Sequence, residues 1–216
     1  MKGIEIQLGR IEVEENGELG KKVASSLISA QLLYPRPNVH TVTALKAIRL
    51  ADASPIDFTT GTNPQTGEAY GYSERVLFKE EVAGTFELVV EVITIHQTSK
   101  VDKALAKLFG TAFGVAWGLA LGGIASLPIG EIANMAKDAH LKSFDQHDPA
   151  FVVGRAKVTL DSKTLPATLR LHLTVPSDVD FSRFETKYGR PVRTTTRLVS
   201  KGQPNGVVEL VVGAVE

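Results

Sequence analysis

The sequence predicts a mainly β protein: an antiparallel two-sheet sandwich of about eight strands, carrying an inserted apolar, glycine-spaced helical hairpin. Three observations predict it. Outside residues 100–142 the chain alternates apolar and polar positions over short runs. The joints between those runs are rich in Gly, Pro, Asn and Asp. The 23 residues between Lys107 and Glu131 carry no charge.

The first strand is read from Ile4, Ile6 and Leu8, with the alternation resuming at Ile11 and Val13 after Gly9-Arg10, as a bulge would do. Residues 18–34 satisfy two periods. Leu19, Val23, Leu27 and Ala30 have helical spacing, whereas Ser26, Ile28, Ala30, Leu32 and Tyr34 step by two; the reading leans to helix. Val42, Ala44, Lys46, Ile48 and Leu50 give a strand after the Pro35-Pro37 break. Residues 52–73, with Pro55, Gly61, Asn63, Pro64, Gly67 and Gly71, read as a long surface loop.

Arg75–Val82 and Thr85–Ile95 flank Ala83-Gly84 as an expected hairpin. The second of these strands is apolar on both faces, through Phe86, Leu88, Val90 and Val92 on one side and Val89, Ile93 and Ile95 on the other. It belongs in the middle of a sheet, beneath the helical segment. Phe151–Leu160 and Leu169–Val175 form an antiparallel pair about Asp161-Ser162-Lys163. Pro191–Val199 and Val207–Val215 are expected as a last pair joined through residues 201–206. One domain over 1–216, with a helical insert at about 100–142, is the preferred organisation; the alternative is two β domains at 1–100 and 145–216.

The uncharged segment 108–130 is unusual chemistry for a surface helix. Gly110, Gly114, Gly118 and Gly122 recur every fourth residue, so on a helix they form one narrow groove. Ala112, Ala116 and Ala120 form a second groove on the opposite side, with Trp117 on the ridge between them. Interior glycine costs about 1 kcal/mol relative to alanine, so close packing on both small faces has to compensate. Gly122-Gly123 and Pro128 interrupt the run, leaving fewer than the ~20 residues of a membrane span and permitting a hairpin that returns over 129–141.

Composition narrows the functions. A chain with 43% hydrophobic residues folds, and 24 basic against 24 acidic residues create no global field toward nucleic acid or anionic lipid. With no cysteine, thiolate metal sites and thiol nucleophiles are excluded. The first residues alternate and turn acidic, unlike a secretory leader, so cytoplasmic residence is expected, with peripheral membrane association as the variant.

Candidate chemistry is sparse. His140, Asp145, His147 and Asp148 are a divalent-metal ligand set by type, and equally the polar turn that precedes a strand. Asp178 and Asp180, with Asp52 or Asp57, could cage calcium at one end of a sandwich. His40, His96 and His172 lack a partnered nucleophile, and no Gly-x-Ser-x-Gly or phosphate-binding glycine loop is present. Lys187, Tyr188, Arg190, Arg193 and Arg197 are the most basic run, able to meet phosphate or an acidic partner, and more simply a solvent face.

The expected function is a non-enzymatic binding or structural protein without cofactor, whose insert packs on its own sheet or against a protein partner, including a second copy. Nucleic acid is not an expected partner. Insertion of the hairpin into a bilayer is the alternative, and a motif-free hydrolase or metal-dependent enzyme is the third reading.

Overall fold

The computed structural model describes residues 2–17, 24–34, 42–63, 67–95, 150–187 and 190–215. The expected helical insert lies outside them, as do its glycine, alanine and tryptophan positions. The described residues are mainly β: nine strands form one antiparallel sheet nearly closed into a barrel, and two more form a separate two-stranded sheet.

The strands are β1 (Lys2–Val13), β2 (Ala24–Leu33), β3 (Val42–Leu50), β4 (Ile56–Asp57), β5 (Val76–Val82), β6 (Thr85–Ile95), β7 (Ala150–Asp161), β8 (Thr168–Thr174), β9 (Val179–Lys187), β10 (Arg190–Val199) and β11 (Pro204–Val215). One four-residue helix, α1 (Tyr72–Arg75), precedes β5. The order around the wall is β3-β2-β6-β7-β8-β11-β1, and β1 pairs along its far edge with β5 and then β4. Strands before and after residues 96–149 thus pair with one another, β6 with β7 and β1 with β11.

Alternation turns one side of the barrel strands inward. Ile4, Ile6, Leu8 and Ile11 of β1 meet Ile28 and Leu32 of β2, Phe86, Leu88, Val90 and Val92 of β6, Leu171 and Leu173 of β8, and Val208 and Leu210 of β11 in one buried cluster. Two packed sheets were the expectation, but the pairing runs on through Arg155↔Thr174, the one described rung between β7 and β8. Gly154 permits that approach: a Cβ there would sit 2.9 Å from Leu173 Cβ. The bulge expected at Gly9 is present, with the β1–β11 register shifting between Leu8 and Arg10.

Four sequence expectations change. Residues 24–33 are strand, not helix; this strand is buried on both faces, so apolar residues from its two sides together also fit a helical period. The 52–73 stretch contains β4 and the start of α1. The Val76–Val82 and Thr85–Ile95 strands exist, but β5 pairs with β1 while β6 pairs with β2 and β7. Three Cα steps from Val82 to Thr85 span at most about 11 Å, whereas following the wall past β3 and β2 takes about 14 Å. The Ala83-Gly84 joint therefore crosses the barrel end, with Gly84 at φ +68 and its carbonyl accepting from Ser162 N–H at 2.9 Å.

Finally, β10 pairs with β9, not with β11, which lies between β8 and β1. The two ladders share a register. Thr174 pairs with Pro204, Val175 N–H donates to the Gln203 carbonyl, and Val179 pairs with Val199. Residues 168–187 and 190–211 are thus one long hairpin whose outer half, β9–β10, continues beyond the barrel wall.

One barrel end is closed by residues 14–17, and both long excursions, 96–149 and 175–203, leave from it. The buried Asn205 holds this plug: its Oδ1 accepts from Glu15 N–H at 2.9 Å, and its Nδ2 donates to the carbonyls of Glu15 and Val153 at 3.0 and 2.8 Å. Asn16 adds bonds from its Nδ2 to the Leu50 carbonyl and from its N–H to Asp52 at 2.6 Å. Gly206 lies beside it at φ +128, where a Cβ would come within 2.1 Å of the Glu12 carbonyl oxygen.

The two sheet edges, β3 and β5, face one another without forming a ladder. Lys46 on β3 is opposite Ile28 and Glu80 on β5 is opposite Ile4, so each edge turns a charge toward the apolar interior. Such inward charges guard an edge against pairing with another chain. Lys46 is buried, and its ammonium donates to the Ser73 carbonyl of α1, across the seam. Burial pulls its pKa down to about 8, a shift that the nearby Glu74 carboxylate partly opposes.

Two outcomes are expected. Asn205→Ala removes three side-chain bonds to backbone, one of them to the buried Val153 carbonyl, and lowers stability by about 2–4 kcal/mol in urea unfolding. For Lys46, the unfolded chain keeps its proton up to about pH 10.5 while the folded chain releases it near 8. Stability should therefore rise with pH from about 8, and below that the buried ammonium costs roughly 3 kcal/mol. Lys46→Met is expected to be more stable at pH 7 and to lose the rise between pH 7 and 9.5. The tyrosines at 34, 70 and 72, whose pKa values are raised, titrate above that window.

Candidate functional site

The outer face of β3-β2-β6 is where the fold departs from a simple one-sided barrel. Register places Leu45, Ser29 and Glu91 in one row across these strands and Ala47, Leu27 and Ile93 in the next. Leu27, Leu45 and Ile93 are buried, yet they do not belong to the interior cluster. They point away from it because Ile28 and Val92, their chain neighbours, point in.

This apolar face holds two polar groups. Glu91, 5% exposed, is gripped from the adjacent strand by Arg155, whose Nε donates to Glu91 Oε1 at 2.6 Å. The pair sits directly across the β6–β7 ladder, and Arg155 itself is half exposed. Ser29 is fully buried, and its Oγ has no hydrogen-bond partner among the described residues. On β7 the same face becomes charged and exposed through Arg155 and Lys157, the latter paired with Glu87 at 2.9 Å. The apolar patch is therefore bounded along one side by ion pairs. A buried, unpaired hydroxyl costs about 1–3 kcal/mol, which makes Ser29 an unsaturated point in the patch.

The residues expected to carry chemistry do not converge. Asp178 accepts Lys201 N–H at 2.8 Å, and Asp52 accepts Asn16 N–H. Asp57 accepts the hydroxyls and N–H groups of Thr59 and Thr60, which hold its carboxyl well below the usual range. Asp57 closes its own turn, Asp52 and Asp178 each accept from a distant stretch of backbone, and the backbone at Asp180 belongs to β9. Among the described residues no group of three or more His, Asp or Glu is arranged to hold a metal. His172 is exposed on β8.

His40, His96, His140, Asp145, His147 and Asp148 lie outside the described residues, with Gly110, Gly114, Gly118, Gly122, Ala112, Ala116, Ala120 and Trp117. Sequence reasoning did find Ile93 and the two-sided burial of its strand. It missed Leu27, Ser29 and Leu45, although the doubled period over 24–33 was the signal that this strand, too, has two buried faces.

The seam near α1 carries a second polar group. The Tyr72 hydroxyl donates to Glu5, lowering the Glu5 pKa, while Gln7 also donates to Glu5. Asn63 Nδ2 donates to Glu74 at 2.9 Å, and the Phe58 and Tyr70 rings meet at 4.7 Å beneath this loop. These contacts organise the loop that leads into β5. No protein-family model matches the chain, and no curated protein matches it significantly.

Arg155→Ala leaves the Glu91 carboxylate buried without its partner and is expected to cost about 1–3 kcal/mol, discounted for the exposure of Arg155. Adding Glu91→Gln should restore part of that loss. A double-mutant cycle by urea unfolding measures the coupling.

Proposed function

We propose that the chain is a non-enzymatic binding or structural protein whose apolar segment 108–130 packs on the outer face of β3-β2-β6, or on the same face of a partner subunit. The observation that carries this reading is the buried outer patch of Leu27, Leu45 and Ile93, which the interior cluster does not include. An apolar sheet face requires a second layer. The 54 residues 96–149 begin where β6 ends and finish where β7 begins, so both tethers lie beside this face.

The small-residue grooves suit that role. Gly110, Gly114, Gly118 and Gly122 let a helix backbone approach a flat surface, and Ala112, Ala116 and Ala120 offer a second contact for a neighbouring helix or subunit. The large ridge residues, Trp117 among them, supply apolar area on either side. Nothing in this reading needs a cofactor.

Gly114→Leu and Gly118→Leu are expected to destabilise the protein by roughly 1–3 kcal/mol each by overpacking a close contact, or to dissociate an oligomer detected by light scattering. A monodisperse monomer of unchanged stability overturns the reading. Flotation of the chain with liposomes would instead establish insertion into a bilayer.

A further inference from the structure

The long hairpin formed by residues 168–187 and 190–211 has an inner half in the barrel wall and an outer half outside it. In the outer half β9 and β10 pair with one another, and among the described elements neither has another substantial packing partner. Nine residues at about 3.3 Å each make this ribbon roughly 30 Å long. Its base is fixed to the barrel end by the bonds between Val175 and Gln203, from Gly202 N–H to the Val175 carbonyl, and from Lys201 N–H to Asp178.

The balanced total charge conceals where the charges lie. Residues 179–199 hold five basic side chains, Arg183, Lys187, Arg190, Arg193 and Arg197, against Asp180 and Glu185. The remainder of the chain keeps 19 basic residues against 22 acidic ones, so the ribbon is positive and the rest slightly negative. At the tip Lys187 is paired with Arg190. Like charges directly opposite one another weaken a ladder, unless an anion lies against them. Four of the five cations are arginines, whose planar fork matches phosphate oxygens.

We propose that the β9–β10 ribbon is an arm that enters the groove of double-stranded nucleic acid and neutralises its phosphates. A two-stranded ribbon is one of the two elements that the major groove of about 12 Å admits. Pro191 lacks the N–H needed for regular strand addition, which favours groove entry over pairing between arms of two copies. The arm and the outer face of β3-β2-β6 are separate features, so either can fail without the other.

The test is fluorescence anisotropy of the full chain with a labelled random-sequence duplex of about 30 base pairs. Neutralising four or five phosphates predicts affinity falling on the order of a hundredfold between 50 and 150 mM NaCl. Arg183→Ala with Arg197→Ala, and separately Lys187→Ala with Arg190→Ala, should each lower affinity at least about tenfold at 50 mM and reduce the salt slope by about 2. The barrel's melting temperature should stay unchanged. Arg190→Lys with Arg193→Lys keeps the charge and should retain most of the affinity. The proposal is overturned by no binding at 50 mM, by binding that the alanine pairs leave intact, or by equal affinity for poly-glutamate. Binding to phosphatidylserine vesicles in place of the duplex overturns it as well.

Discussion

An antiparallel sheet that curls around one apolar interior still has two edges, and here each edge turns a charge inward. Lys46 on β3 and Glu80 on β5 stand on the same faces as Ile28 and Ile4, at the place where the wall would otherwise close. A continuous ladder across this seam would take both charges further from water, and desolvation of charge is among the costliest steps in folding. The wall instead stays open, bridged by the Lys46 ammonium on the Ser73 carbonyl. The position of α1, the route of the loop into β5 and the protection of both edges all follow from that arrangement.

The opposite problem arises at the end closed by residues 14–17. There the backbone enters a buried space and its polar groups need partners. Asn205 and Asn16 provide them, joining the end of β1 to the starts of β7 and β11 and to the end of β3. One polar end therefore fixes where both long excursions leave the barrel. It places the base of the β9–β10 ribbon and the tethers of residues 96–149 on the same side of the molecule.

The outer face of β3-β2-β6 and the ribbon divide the molecule by chemistry. The face is apolar, flanked by ion pairs, and holds a buried hydroxyl with no partner among the described residues; the ribbon carries an excess of basic residues and pairs outside the barrel sheet. A packing role for the first and an anion-binding role for the second use different forces. Burial responds weakly to salt, whereas phosphate contacts weaken steeply with it.

The sequence by itself determined the β class, most strand positions and the bulge at Gly9, because period-two alternation is local and each strand must present one apolar side. It also marked Ile93's strand as buried on both faces. It did not determine partners. Ala83-Gly84 carries the same turn chemistry whether it joins a hairpin or crosses a barrel end, and residues 190–199 alternate identically beside β9 or β11. Leu27 and Leu45 looked like one side of a helix or an ordinary strand until β3, β2 and β6 were laid side by side. The buried roles of Asn16, Asn205 and Lys46 are likewise invisible locally, since each depends on backbone brought from up to 190 residues away. Those pairings are long-range contacts, and only the tertiary structure decides them.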